Sequence, residues 1–183
     1  DMYHDADSDR YPRLPRRSTD RASLNQWIDG DDVAIRYVDD AVGKLVEQLK
    51  RAGVYDDTAI SISADHGENQ GELGIYGEHG TADHGTCNIP FIIRWPGKQT
   101  GVVDQALHYH LDWAPTLMEL IGRADHCPEL WDGQSFAATG NDAEPAGRDE
   151  LIISQCCHVC QRSVRFEQGK HRWLYMRTYH DGF

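Results

Sequence analysis

The segment from Ala59 to Asn69, AISISADHGEN, constrains this chain more than any other. A short β-rich run ends abruptly in Asp65-His66-Gly67-Glu68. An apolar strand therefore delivers a carboxylate and an imidazole side by side into a glycine-bearing loop. Both side chains are frequent metal ligands. In open α/β sheets, ligands gather beyond the carboxyl ends of the strands. The segment predicts a strand-end metal site in an α/β hydrolase.

The flanking sequence agrees. Asp31 to Arg51 carries Ala34, Tyr37/Val38, Ala41, Leu45 and Leu49 at helical spacing, which gives one apolar stripe. Asp31 and Asp32 suit the positive end of the helix dipole, and Lys50 and Arg51 suit the last turn. Gly53 is placed to end the helix. A turn at Tyr55-Asp56-Asp57 then leads into the strand from Thr58 to Ala64, so helix, turn and strand make half of a βαβ unit. Upstream, Asp1 to about Asn25 is polar and irregular, with Pro12, Pro15 and the RLPRR run. It reads as a surface arm.

Gln70 to Asn88 is rich in Gly and His without a clear period, and is expected to be a functional loop. Ile89–Trp95 reads as a second buried strand, stopped by Pro96-Gly97, and Gln105–His110 as a third, short one. Asp112 is expected to cap a helix through Ile121, with Gly122 ending it. Arg123 to Asp149 is turn-rich around DGQSF. Glu150–Ile153, Ser163–Phe166 and Trp173–Arg177 follow one another without helices, which predicts a small antiparallel sheet. The expected division is 1–122 for the α/β part and 123–183 for a linker and the start of a C-terminal subdomain.

Thirty acidic against 18 basic residues give a formal charge of −12. That balance speaks against a nucleic-acid partner. It is compatible with an anionic substrate if a metal or local Arg residues invert the field at the site. No apolar run is long enough for a membrane span. Five cysteines, three of them between Cys156 and Cys160, do not form a disulfide framework. They point to a reducing, cytoplasmic compartment, with periplasm and secretion left open. Cys157-His158-Val159-Cys160 could be half of a zinc site or a redox pair, but no second C-x-x-C accompanies it. His108 and His110 fall on one face of the third strand. Arg94 and Arg165 lie at strand ends where an anion could be met.

The order IRYVDDAVGKLVEQLKRAGVYDDT, ISADHGENQGELGIYGEHGT, IPFIIRWPG, LDWAPTLMELIG and DGQSF resembles the sulfatase family of the alkaline-phosphatase superfamily. The resemblance runs weakly on through QRSVRF and WLYMRTYH, and so covers roughly residues 31 to 180. It implies an alkaline-phosphatase-like mixed sheet flanked by helices, of which this chain is the later part, followed by the small antiparallel sheet. It also implies that Asp65 and His66 are two of four ligands to a divalent cation. Calcium is the usual ion, and the imidazole suits manganese or zinc as alternatives. Glu68 and Asn69 would be groups that orient those ligands, or ordinary loop residues.

Two departures from the family pattern matter. Sulfatases commonly place a sulfate-binding Lys where this chain has Glu78. His79 follows it and is the candidate catalytic residue, to contact the sulfate or protonate the leaving oxygen. His84 is a weaker candidate. The second departure is the C-x-[PA]-S-R motif that supplies the formylglycine nucleophile, which is absent from these 183 residues. In the family that motif and two more metal ligands lie upstream. The expected function is hydrolysis of a small-molecule or saccharide sulfate ester, with the missing N-terminal portion of the same enzyme as partner and this chain inactive alone. A homo-oligomer is compatible with the sequence. The rivals are a phosphodiesterase or phosphonate monoester hydrolase of the same superfamily, and a non-catalytic pseudoenzyme.

Overall fold

A computed structural model describes residues 20–139, 147–156 and 160–180. The polar arm up to residue 19, including RLPRR, lies outside them, as do Cys157 and His158. The described residues fall into two compact units: 20–79 with 88–96, and 80–87 with the residues from 97 onward.

In the first unit the dominant element is α1, Arg21–Arg51, a helix of 31 residues. It begins ten residues before the expected start at Asp31. The reason is a capping box: the Asp20 carboxylate accepts the Ser23 N–H at 2.8 Å, and Ser23 Oγ accepts the Asp20 N–H at 3.2 Å. With two of the first orphan donors satisfied, the polar residues that follow continue the helix. Its other end is as expected, with Lys50 and Arg51 in the last turn and Gly53 at φ 70°.

After a single 3-10 turn, β1 (Ile60–Ser63) pairs antiparallel with β4 (Phe91–Arg94), Ile62 opposite Ile92. Arg94 closes this corner. Its guanidinium donates to the carbonyls of Tyr55 and Thr58 at 2.8 and 2.7 Å and lies 4.0 Å from the Tyr55 ring centroid. Its role is structural here, holding the turn between α1 and β1.

The Gly- and His-rich segment is ordered. Strands β2 (Asn69–Gln70) and β3 (Tyr76–Glu78) form a short antiparallel hairpin, in place of the expected loop. Its tip closes by the Gly71 N–H donating to the Ile75 carbonyl at 2.8 Å. Gln70 donates through its side chain to Asp31, and a Cβ added at Gly77 would meet the Trp27 ring at 3.3 Å, so the hairpin is seated on α1.

In the second unit, α2 (His84–Cys87) is a single turn, and Asp83 accepts the Thr86 N–H at 3.0 Å. The expected strand at Gln105–His110 is only an isolated bridge between Leu107 and Arg148, followed by a 3-10 turn at His110–Asp112. Helix α3 runs Trp113–Leu120, and Gly122 at φ 71° follows it, as expected. Asp112 precedes α3, but its carboxylate does not cap it. It is fully buried and gathers the N–H groups of Tyr109 and Gln134, each at 2.7 Å, with a two-point ion pair from Arg148 at 2.6 and 3.3 Å. Thr116 Oγ accepts the Phe136 N–H at 3.0 Å. Together these bonds strap the DGQSF turn onto α3.

The antiparallel sheet expected near the C-terminus is present and longer than its sequence signal: β5 (Glu150–Cys156), β6 (Cys160–Gln168) and β7 (His171–His180), in that order. Gln161 on β6 reaches back to the 80–87 segment, accepting the Ala82 N–H at 2.9 Å while donating to Thr178.

Among the described residues the buried apolar side chains are small, Ala82 and Ala137, and the largest fully buried ones are polar: Asn69, Thr116, Asp112 and Ser163. Val38 and Leu45 of the α1 stripe are exposed. No helix among the described residues is long and apolar enough to cross a membrane.

Candidate metal and acid–base site

The strand β1 ends at Ser63, and the next residues turn out of the sheet. Ser63 Oγ donates to the Pro90 carbonyl at 3.1 Å, which ties this exit to the neighbouring strand. Asp65 and His66 follow at once. Asp65 Oδ1 accepts the His66 N–H at 3.0 Å, leaving Oδ2 outward on a side chain that is 88% exposed. That backbone N–H is the main cause of a carboxyl held below its ordinary value. Asp65 is thus kept in the ionised form a cation requires.

His66 Nδ1 lies 2.9 Å from the Gly67 carbonyl. A carbonyl only accepts, so Nδ1 carries the proton and Nε2 carries the lone pair, the arrangement of a metal-ligating imidazole. Asp65 Oδ2 and His66 Nε2 stand 3.8 Å apart. Two donors each about 2.0–2.4 Å from one ion span such a distance without rearrangement. The donor set therefore fits a divalent cation, and one carboxylate with one imidazole suits manganese or zinc at least as well as calcium.

His79 arrives from the far side of the β2–β3 hairpin. Asn69 is paired with Glu78, so the residues flanking that pair, Glu68 and His79, are neighbours although eleven apart in sequence. Glu68 Oε2 lies 2.9 Å from His79 Nδ1, and the His79 ring stacks on His66 with centroids 4.0 Å apart and planes 20° from parallel. His66, Glu68 and His79 offer ligand atoms within 4.8 Å of one another, the one group of three such residues among those described. His79 is 53% exposed and Glu68 28%.

Of the expected site residues, the structure brings Asp65, His66 and His79 into one cluster. His84 is exposed in the second unit, at the start of α2. Glu78, where sulfatases commonly carry Lys, is an exposed strand residue. The partnership of Glu68 with His79 has no counterpart among the sequence expectations. A signal existed in the glycines of Gln70-Gly71-Glu72-Leu73-Gly74, which mark a hairpin tip. Of Cys157-His158-Val159-Cys160 only Cys160 is described, with its Sγ 2.9 Å from Cys156 Sγ.

The fold is that of the alkaline-phosphatase-like α/β enzymes. A phosphonate monoester hydrolase from Silicibacter pomeroyi superposes with a TM-score of 0.69 over 93% of this chain and 38% of its own, at 23% identity. A family model described as Sulfatase matches residues 2–123, and the chain belongs to the sulfatase family. An endo-4-O-sulfatase of Bacteroides thetaiotaomicron is 34% identical over 55% of this chain and 20% of its own length. A choline-sulfatase of Rhizobium meliloti is 30% identical over 77% and 27% respectively. The chain thus spans about a fifth to a quarter of the curated relatives it matches.

Proposed function

We infer that this chain is the later part of an enzyme that hydrolyses sulfate esters. Its membership of the sulfatase family supports the reaction class. The observation that carries the residue assignment is the juxtaposition of Asp65 Oδ2, His66 Nε2 and the stacked His79 ring at a strand end. Asp65 and His66 are two ligands of a divalent cation. A cation held by these two side chains would supply the charge that neutralises sulfate oxygens and helps position the nucleophile. His79, stacked on His66, is the residue that contacts the sulfate or protonates the leaving oxygen.

The nucleophile and the remaining metal ligands come from other residues of the same enzyme. The chain's span of only 20% of the endo-4-O-sulfatase and the exposed Val38 and Leu45 on α1 support this, since an apolar stripe of that kind is normally covered. This chain alone is inactive on that reading. The substrate is a small-molecule or saccharide sulfate ester, in line with the choline- and endo-4-O-sulfatases among its relatives.

A second reading, hydrolysis of phosphonate monoesters or phosphodiesters, draws on the likeness to the Silicibacter pomeroyi enzyme, and Glu78 in the position of the Lys keeps a third, non-catalytic reading open. The test is turnover by the full-length protein, stripped with chelator and reloaded with Ca2+, Mn2+ or Zn2+, on aryl sulfate, aryl phosphonate and phosphate diester. Faster sulfate hydrolysis supports the first reading. Dominant phosphonate or diester turnover supports the second, and turnover of none of them makes the protein a pseudoenzyme.

A further inference from the structure

We propose that Glu68 is the positioning residue of His79: it holds the proton of His79 on Nδ1 and so makes Nε2 the nitrogen that meets substrate. A carboxylate only accepts, so the 2.9 Å contact of Oε2 with Nδ1 fixes the neutral ring as the Nδ1–H tautomer. The other face of the geometry is set by His66, whose ring stacks on His79 at 4.0 Å and prevents it from swinging about its side-chain bonds. The two imidazoles are thus oriented by the same device. Each gives Nδ1–H to an oxygen acceptor, Gly67 O for His66 and Glu68 Oε2 for His79, which leaves Nε2 as the exchanging nitrogen; on His79 it is the atom that takes up a proton and hands it to a leaving oxygen.

Sequence alone does not carry this relationship, because Glu68 and His79 meet only through the Asn69–Glu78 register. It also gives Glu78 a sense. In place of a Lys on a flexible stem, the hairpin presents a ring whose direction is locked by a buried-side carboxylate at 28% exposure. Outer partners of this kind typically change affinity or activity about 10–100-fold when removed.

Two measurements test it. The first does not depend on any activity. In intact, metal-stripped protein with 15N-labelled histidine, the His79 ring nitrogens are assigned by loss of their signals in His79→Gln. The neutral ring should show Nδ1 protonated and Nε2 bare, and Glu68→Ala should return it to the mixture of an unrestrained imidazole. Glu68→Gln, whose amide oxygen can still accept, should keep the tautomer. The second rests on the sulfatase reading. Glu68→Ala should slow sulfate esters of poor leaving groups about tenfold or more and good ones little, and Glu68→Ala/His79→Ala should be no slower than His79→Ala alone.

An unchanged tautomer in Glu68→Ala overturns the proposal. So do effects of the two substitutions that multiply. So does stoichiometric Zn2+ binding that needs His66, Glu68 and His79 together, since Glu68 would then be a ligand itself. A protein that passes the tautomer test but turns over no sulfate ester refutes the sulfatase reading and leaves the positioning of His79 standing.

Discussion

Asn69 stands opposite Glu78 across an antiparallel hairpin, and this pairing makes neighbours of Glu68 and His79. The segment before Asn69 comes from the end of β1, with the metal-type pair Asp65-His66. The segment after Glu78 carries the acid–base candidate. A strand of two residues paired with one of three is enough to join them, because antiparallel register fixes which flanking residues face each other.

If Asp65 and His66 hold a cation, removing either donor weakens that site. Asp65→Ala and His66→Ala in the full-length protein are each expected to lower Mn2+ or Zn2+ affinity by more than about tenfold. Calorimetric titration of chelator-stripped protein reads this directly. Wild-type affinity in both variants would move the ion elsewhere.

Gly77 tests the seat of the hairpin. Its φ is 62°, and an added Cβ would come within 3.3 Å of the Trp27 ring. Gly77→Ala is expected to cost about 1–3 kcal/mol of local stability. The readouts are a blue- or red-shifted tryptophan emission and faster amide exchange from Asn69 to Glu78. Exchange rates equal to wild type would show that the hairpin does not depend on this contact.

Asp112 predicts acid sensitivity of the second unit. Burial pushes its carboxyl up. The bonds from Arg148, Gln134 and Tyr109 outweigh that and leave it below its ordinary value of 3.8. A carboxyl depressed in the folded state contributes stability above its unfolded value, and that contribution is lost as pH falls through the folded one. Melting temperature should therefore drop below about pH 4, and Asp112→Asn should flatten that acid limb while lowering stability at pH 7. An acid limb of unchanged steepness in Asp112→Asn would assign the effect to other carboxylates, Asp104 first among them.

Cys156 and Cys160 face each other across the β5–β6 pairing, with Sγ atoms 2.9 Å apart. Glutathione disulfide is expected to link them, the two thiols giving up two hydrogens to one reagent molecule, which leaves as two thiols. Peptide mapping locates the bridge. Because the closed loop is short, the gain in stability stays under about 3 kcal/mol. Mapping that joins a different pair of cysteines would refute the expectation.

Several parts of the fold were legible in the residues. The apolar stripe and basic last turn located most of α1. The alternation in ISIS and the FIIR run located β1 and β4. Glu150 onward read correctly as consecutive antiparallel strands. The misplaced features each have their own cause. The start of α1 depends on a capping box whose N3 partner is Ser23 rather than the usual Glu or Gln. The β2–β3 hairpin is too short to show a period. Gln105–His110 alternates like a strand but finds only Arg148 to pair with.

The order of residues alone determined that a carboxylate and an imidazole leave a strand together, because adjacent positions cannot be separated by any fold. It likewise determined the family. Which distant groups complete the site was decided only in three dimensions. The contact of Glu68 with His79, the stacking of His79 on His66 and the bonds of Asp112 to Arg148 and the Gln134 amide all join residues separated in the chain. Such pairings follow from register and burial, and these depend on how backbone hydrogen bonds are satisfied across the whole unit.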